Sequence, residues 1–134
     1  MIYIICGMIG AGKSKYAEKI GCPIVENAYA DQGISKKEQI EQTLDLYDAG
    51  SDVCHITCYP TEQEQSAFHG LDMQYIWINT TKRFCLQNIR KRCCKKDIIN
   101  INYVKEKNEE LEARYENSFI HFKVIDLYET GEKW

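Results

Sequence analysis

Residues 2–14 read Ile2-Tyr3-Ile4-Ile5-Cys6-Gly7-Met8-Ile9-Gly10-Ala11-Gly12-Lys13-Ser14, and this stretch decides the fold. The first five residues are an apolar run rich in β-branched side chains, which suits a strand buried on both faces. The eight that follow fit the phosphate-loop pattern G-x-x-x-x-G-K-S/T at the point where that strand should end. Glycines at 7, 10 and 12 let the backbone turn tightly and aim its N–H groups inward, making a concavity for the oxygens of a polyphosphate. Lys13 then reaches the β- and γ-phosphates, Ser14 holds Mg2+, and the helix that starts there adds the positive end of its dipole. The segment expected to bind the nucleotide, ATP with Mg2+, is Gly7, Met8, Ile9, Gly10, Ala11, Gly12, Lys13, Ser14 and Lys15.

Working outward, Lys13 to Ile20 should be a helix stopped by Gly21, with Pro23 as a second stop signal. A short strand, Pro23 to Glu26, leads into a loop from Asn27 to Ile34. Ser35 and Glu38 then form the S-x-x-E capping box of a helix that carries Ile40, Leu44 and Tyr47 on one face and ends near Gly50. Val53 to Cys58 reads as a third strand. Thr61 and Glu64 form a second capping box before a short helix that runs toward Gly70, and Met73 to Asn79 is the fourth strand. Thr80 or Thr81 caps a helix over Lys82 to Arg92, after which the polar stretch Cys93 to Asn100 is the expected loop over the phosphates. A last helix, Asn102 to Asn117, turns Val104, Leu111 and Tyr115 inward, and a final strand spans Phe119 to Leu127. Strands and helices alternate throughout, which predicts an α/β fold: a three-layer, doubly wound, parallel five-stranded sheet of the P-loop nucleoside triphosphate hydrolase, nucleotide kinase-like kind.

A chain of 134 residues is one domain by size, too small for a nucleotide site and a separate substrate domain, so both substrates must share one cleft. No apolar run approaches the roughly 20 residues that cross a membrane. The chain enters its first strand without the basic and apolar regions of a signal peptide, so a cytoplasmic location is expected. Seven cysteines, an odd number, read as reduced thiols, several of them packed in the core. Cys93-Cys94 lacks zinc-ligand spacing, and Cys54-His55 with Cys58 lies on a strand whose alternate residues face opposite sides.

The net charge of −3 hides a segregation: Glu38 to Thr81 carries eight acidic residues and no Lys or Arg, whereas Met73 to Lys96 carries seven basic residues and no acid. That basic set comprises Lys82, Arg83, Arg90, Lys91, Arg92, Lys95 and Lys96, and it reads either as a face that meets anions or as a solvated helix surface. Tyr29, Tyr59 and His69 are candidates to stack on a base, with packing as the plainer alternative.

The segment Tyr75-Ile76-Trp77-Ile78-Asn79-Thr80-Thr81, followed by Cys85-Leu86-Gln87-Asn88-Ile89-Arg90-Lys91-Arg92, resembles the strand, threonine-capped helix and lid arginines of the polynucleotide 5′-kinase family, its phage-type members above all. Zeta-toxin-like, gluconate-type and shikimate-type small kinases share that outline. The resemblance implies that Arg90 and Arg92 are lid cations, in a lid-like segment spanning about residues 90–100, that stabilise charge on a transferring phosphoryl group. A guanidinium fork suits the task because it binds two phosphate oxygens at once and stays protonated.

The same resemblance calls for a carboxylate after the second strand to take the proton of the acceptor hydroxyl. Here Glu26 ends the strand and Asp31 follows, and both remain candidates. The third strand ends Thr57-Cys58-Tyr59, without a Walker B acid, and Asp52 lies at its other end. Magnesium would then rest on Ser14, nucleotide oxygens and water. The activity implied is ATP-dependent transfer of the γ-phosphoryl group to a hydroxyl or phosphate of a nucleic-acid 5′ end or a nucleotide. A small-metabolite kinase and a nucleotide-binding regulatory protein with weak ATPase activity stand as alternatives.

Overall fold

The computed structural model describes residues 1–26, 34–91 and 101–127. Five strands, β1 (Ile2–Cys6), β2 (Ile24–Val25), β3 (Val53–Ile56), β4 (Met73–Ile78) and β5 (Lys123–Ile125), alternate with α1 (Lys13–Ile20), α2 (Lys36–Asp48) and α3 (Glu62–Phe68) up to β4, and both α4 (Lys82–Lys91) and α5 (Ile101–Glu116) fall between β4 and β5. They form one parallel sheet in the order β2-β3-β1-β4-β5, so the first strand lies at the centre. That position explains its composition: Ile2, Ile4, Ile5 and Cys6 are all fully buried, as a strand covered on both faces requires.

Register assigns the faces. Ile4 pairs with His55 and with Tyr75, and Cys6 pairs with Trp77, so His55, Tyr75 and Trp77 point to one side. On that side His55 meets α2 and α3, and Trp77 stacks on Tyr115 of α5 at 4.3 Å and 6°. On the other face Cys54 turns toward Ala17 of α1. Cys54 and His55 therefore point apart, as strand alternation requires.

The two expected capping boxes form in full: Ser35 with Glu38 starts α2, and Thr61 with Glu64 starts α3. Gly21 closes α1 in the left-handed conformation. Thr81, not Thr80, caps α4 by accepting from the Phe84 N–H at 3.2 Å.

Some boundaries differ from expectation. The second strand is two residues rather than four, and the third stops at Ile56, although the Thr57 N–H still donates to the Ile5 carbonyl and the Cys58 carbonyl accepts from the Gly7 N–H, each at 3.0 Å. The last strand covers only Lys123–Ile125. Phe119 stands fully exposed and the Ser118 hydroxyl accepts from the Ile120 N–H, which makes the residues before β5 a turn. On α2 the buried stripe is Gln39, Ile40 and Thr43, with Leu44 and Tyr47 only partly covered, so the helix turns a polar edge to the sheet.

Buried thiols behave as small core side chains: burial pushes Cys54 up to about 11 and Cys85 up to about 12. No helix among the described residues is long and apolar enough to cross a membrane.

Candidate active site

The loop after β1 is built around its glycines. At Gly10 φ is +87°, and an added Cβ would lie 2.5 Å from the Cys85 carbonyl oxygen, so no side chain fits between the loop and α4. Gly12, at φ +100°, is the N-cap of α1 with no side-chain cap. The first helical bond runs from the Tyr16 N–H to the Gly12 carbonyl at 3.0 Å, which leaves the N–H groups of Lys13 and Ser14 without an acceptor inside the helix. A helix N-terminus of this kind attracts anions through its dipole and its open donors.

Neighbouring elements grip the loop. The Gly7 N–H donates to the Cys58 carbonyl at 3.0 Å and ties the loop to the end of β3. Asn108 of α5, 1% exposed, accepts from the Ile9 N–H at 2.8 Å and donates to the Ile9 carbonyl at 3.1 Å. Asn88 of α4 donates to the Gly10 carbonyl at 2.9 Å, and the Thr80 hydroxyl donates to the Ala11 carbonyl at 2.8 Å. The Ala11 N–H closes a turn on the Met8 carbonyl at 3.0 Å.

Lys13 folds back over its own loop and donates to the Gly7 carbonyl at 3.0 Å and the Met8 carbonyl at 2.8 Å, with the Cys58 sulfur 3.8 Å away. The Ser14 hydroxyl donates to Glu26 Oε2 at 3.4 Å, and both side chains are exposed. The end of β2 thus delivers a carboxylate to the mouth of the loop. Arg90 is exposed on the last turn of α4, and Lys15 is exposed on α1. Asp31, Tyr29, Arg92, Cys93, Cys94, Lys95, Lys96 and the polar stretch to Asn100 lie outside the described residues.

Under the mouth of the site runs a polar network that the sequence reading missed. Gln39 donates to the Val25 carbonyl at 3.1 Å and to the Ile56 carbonyl at 2.7 Å, bridging the ends of β2 and β3 where the backbone ladder stops. Lys36 Nζ donates to Gln39 at 2.9 Å, to Thr57 at 3.2 Å and to Glu64 Oε2 at 3.0 Å. The same Glu64 oxygen meets His55 Nε2 at 2.5 Å, and His55 Nδ1 meets the Thr43 hydroxyl at 2.7 Å. Burial alone would raise the Glu64 carboxyl, but bonds from His55 and the Thr61 N–H and the charge of Lys36 outweigh it and hold Glu64 down at about 2. One sequence signal pointed here: His55 interrupts an apolar strand and, fully buried, must find polar partners.

Sequence reading gave Glu64 only its capping role. It is also the acid that lies nearest the end of β3, yet its oxygens are occupied by Lys36, His55, Thr57 and the Thr61 N–H, and it faces away from solvent. The exposed acid beside Ser14 is Glu26. Among the described residues no group of three His, Cys, Asp or Glu side chains is placed to hold a metal. One hydroxyl and one carboxylate are oxygen donors of the type Mg2+ prefers, with its remaining positions left to water and phosphate oxygens.

The basic face of α4 is partly neutralised by its neighbour, since Lys82 pairs with Glu112 of α5 at 3.3 Å. Lys91 lies 6.0 Å from the Phe84 ring centre. Tyr59 is packed: Arg114 covers its ring at 4.3 Å, Phe122 lies at 6.1 Å, and its hydroxyl meets Ser118 at 2.5 Å. His69 is exposed at the end of α3.

No protein-family model and no curated protein sequence matches the chain. Among solved structures it is similar to deoxyadenosine kinase from M. mycoides with bound dATP, at 15% identity over 94% of this chain and 91% of that one, with a TM-score of 0.59. A second structure of that kinase, with the products dCMP and a flexible dCDP, matches at 14% identity over 94% and 90%, with a TM-score of 0.54. The glycine-built loop at the carboxyl end of a central strand, set in a 2-3-1-4-5 parallel sheet, is the fold of the P-loop nucleoside triphosphate hydrolases, in its nucleotide kinase-like form.

Proposed function

We propose that this protein is an ATP-dependent kinase that phosphorylates the hydroxyl of a nucleoside. The observation that carries the reading is the approach of Glu26 to Ser14, 3.4 Å across the mouth of the phosphate loop. A carboxylate held there, beside the hydroxyl suited to the magnesium of MgATP, lies within reach of an acceptor hydroxyl lined up with the γ-phosphate. The acceptor oxygen attacks the γ-phosphorus as the bond to the β–γ bridging oxygen breaks, ADP leaves, and the hydroxyl proton passes to Glu26. Lys13 and the open N–H groups at the start of α1 hold the phosphates, and Arg90, with Arg92, neutralises charge on the transferring group. Ser14, with Glu26 beside it, would hold the magnesium of MgATP, which when bound would supply charge neutralisation at the phosphates.

Charge on the β2–α2–β3 side argues for a neutral acceptor. Between Ile20 and Thr81 the only Lys or Arg residues are Lys36 and Lys37, and Lys36 is paired with Glu64 at 3.0 Å. A monophosphate or a polynucleotide end entering there would meet Glu26 with little cationic help, whereas a nucleoside hydroxyl needs a base and no cation. The likeness to a kinase named for deoxyadenosine supports the same acceptor class.

The test is labelled phosphate transfer from MgATP to a panel of deoxynucleosides, nucleoside monophosphates, 5′-hydroxyl oligonucleotides and small-metabolite alcohols. Label on deoxynucleosides that falls about 10²–10⁴-fold in Glu26→Gln supports the reading. Label only on monophosphates or oligonucleotide ends would overturn the acceptor, and ATP binding without any transfer would favour a regulatory protein.

A further inference from the structure

In a trans peptide the carbonyl of one residue and the N–H of the next point in opposite directions. Fixing a carbonyl outward therefore aims the following N–H inward. Three successive carbonyls of the phosphate loop are fixed outward by side chains: Ile9 by Asn108, Gly10 by Asn88 and Ala11 by Thr80, at 3.1, 2.9 and 2.8 Å. The N–H groups so aimed belong to Gly10, Ala11 and Gly12. Since Ala11 donates to Met8, the two left for a ligand are those of the glycines.

We infer that Thr80, Asn88 and Asn108 are positioning residues that hold the loop's N–H groups in their anion-binding orientation before any nucleotide arrives, an inference that rests on the nucleotide reading above. A loop with glycines at 10 and 12 rotates its peptides at little cost unless its carbonyls are held. Thr80 and Asn108 are 4% and 1% exposed, so their bonds meet little competition from water. Asn108 holds the two peptides that flank Ile9, accepting from the N–H of the Met8–Ile9 peptide and donating to the carbonyl of the Ile9–Gly10 peptide, so neither can rotate freely. Asn88 lies on α4 between Cys85 and Ile89, the two residues that an added Cβ at Gly10 would meet, so its bond fixes the Gly10 peptide where the loop and the helix touch.

The experiment compares wild-type protein with Thr80→Val, Thr80→Ser and Asn108→Leu for affinity toward MgATP and toward inorganic tripolyphosphate, which has no base or sugar, at a temperature well below each melting point. Loss of one pinned carbonyl in Thr80→Val should weaken both probes about tenfold, while Thr80→Ser, which keeps the hydroxyl, should stay within about twofold. Asn108→Leu should lose at least as much as Thr80→Val. A merely structural role would lower the melting temperature and leave tripolyphosphate affinity unchanged in the folded variants, and that result would overturn the inference while the nucleotide reading survived. Wild-type protein that binds neither probe would overturn both. Should Asn108→Leu fail to fold, the near-isosteric Thr80 pair decides.

Discussion

Glu64 of α3 and His55 of β3 meet at 2.5 Å, both with no exposed side-chain surface, and Lys36 of α2 completes the contact at 3.0 Å to the same carboxylate oxygen. A carboxylate held at about 2 in the folded chain contributes stability above the usual carboxylate range and loses it as pH falls through the folded value. Wild-type stability should therefore drop between about pH 5 and pH 2, and Glu64→Gln should lose less over that interval. At pH 7 the same variant should be less stable by roughly 3 kcal/mol, since Lys36 is left without its partner. Urea midpoints at pH 7, 5 and 3 measure both effects.

Gln39 should matter for turnover more than for nucleotide binding. Its amide joins the ends of β2 and β3, and Glu26 is the residue after Val25, whose carbonyl Gln39 holds. Gln39→Leu should cost roughly 2–4 kcal/mol through two unsatisfied carbonyls, and in the folded fraction lower kcat while leaving MgATP affinity near wild type. Equal losses in both would place the role of Gln39 in general folding.

Lys13→Met should leave the fold intact. The ammonium meets the Gly7 and Met8 carbonyls and the Cys58 sulfur in part-buried contacts with no carboxylate partner among the described residues, so stability should change by no more than about 1 kcal/mol. MgATP affinity should fall by about two orders of magnitude, because the charge acts on the ligand. Thermal melts with and without nucleotide separate the two.

Gly10→Ala should fail more severely than a change elsewhere in the loop. It combines a left-handed backbone with an approach of 2.5 Å to the Cys85 carbonyl, which cannot yield as a flexible side chain would. A loss of roughly 3 kcal/mol is expected, together with loss of phosphate binding. Restoration of the wild-type melting point in this variant would contradict the packing described.

Arg90→Ala should lower turnover with little change in ATP affinity, as expected for a cation that meets charge only in the transition state. Arg90 is exposed, so the melting temperature should stay near wild type. Single-turnover rates beside equilibrium binding make the comparison.

Local rules carried much of the architecture. Both capping boxes, the Gly21 stop and the alternation of strands and helices lie within a few residues of one another, so they are visible in a linear reading. The glycine loop was legible for the same reason, and of the two carboxylates left open after β2, Glu26 lies beside Ser14 while Asp31 falls outside the described residues. What stayed hidden are contacts between residues far apart in the chain: Asn108 with Ile9, Thr80 with Ala11, and Lys36 with Glu64. An asparagine buried on a helix looks like any exposed polar position until the fold supplies the peptide it grips. Likewise the buried edge of α2 takes in Gln39 and Thr43 beside Ile40, where Leu44 and Tyr47 were expected: Gln39 serves the Val25 and Ile56 carbonyls and Thr43 meets His55 Nδ1, partners that only the fold supplies.

The central place of β1 has a consequence for how the chain is made. Ile2 pairs with Val53 on one side and with Met73 on the other, so the earliest strand of the sheet to leave the ribosome has to wait for both later partners. Until Met73–Ile78 emerges, a nascent Ile-rich segment keeps at least one hydrogen-bonding edge open, the condition under which chains associate with each other. Products truncated before β4 should accordingly aggregate or engage chaperones, whereas interruption after Ile78 releases a chain whose three inner strands can already close on one another.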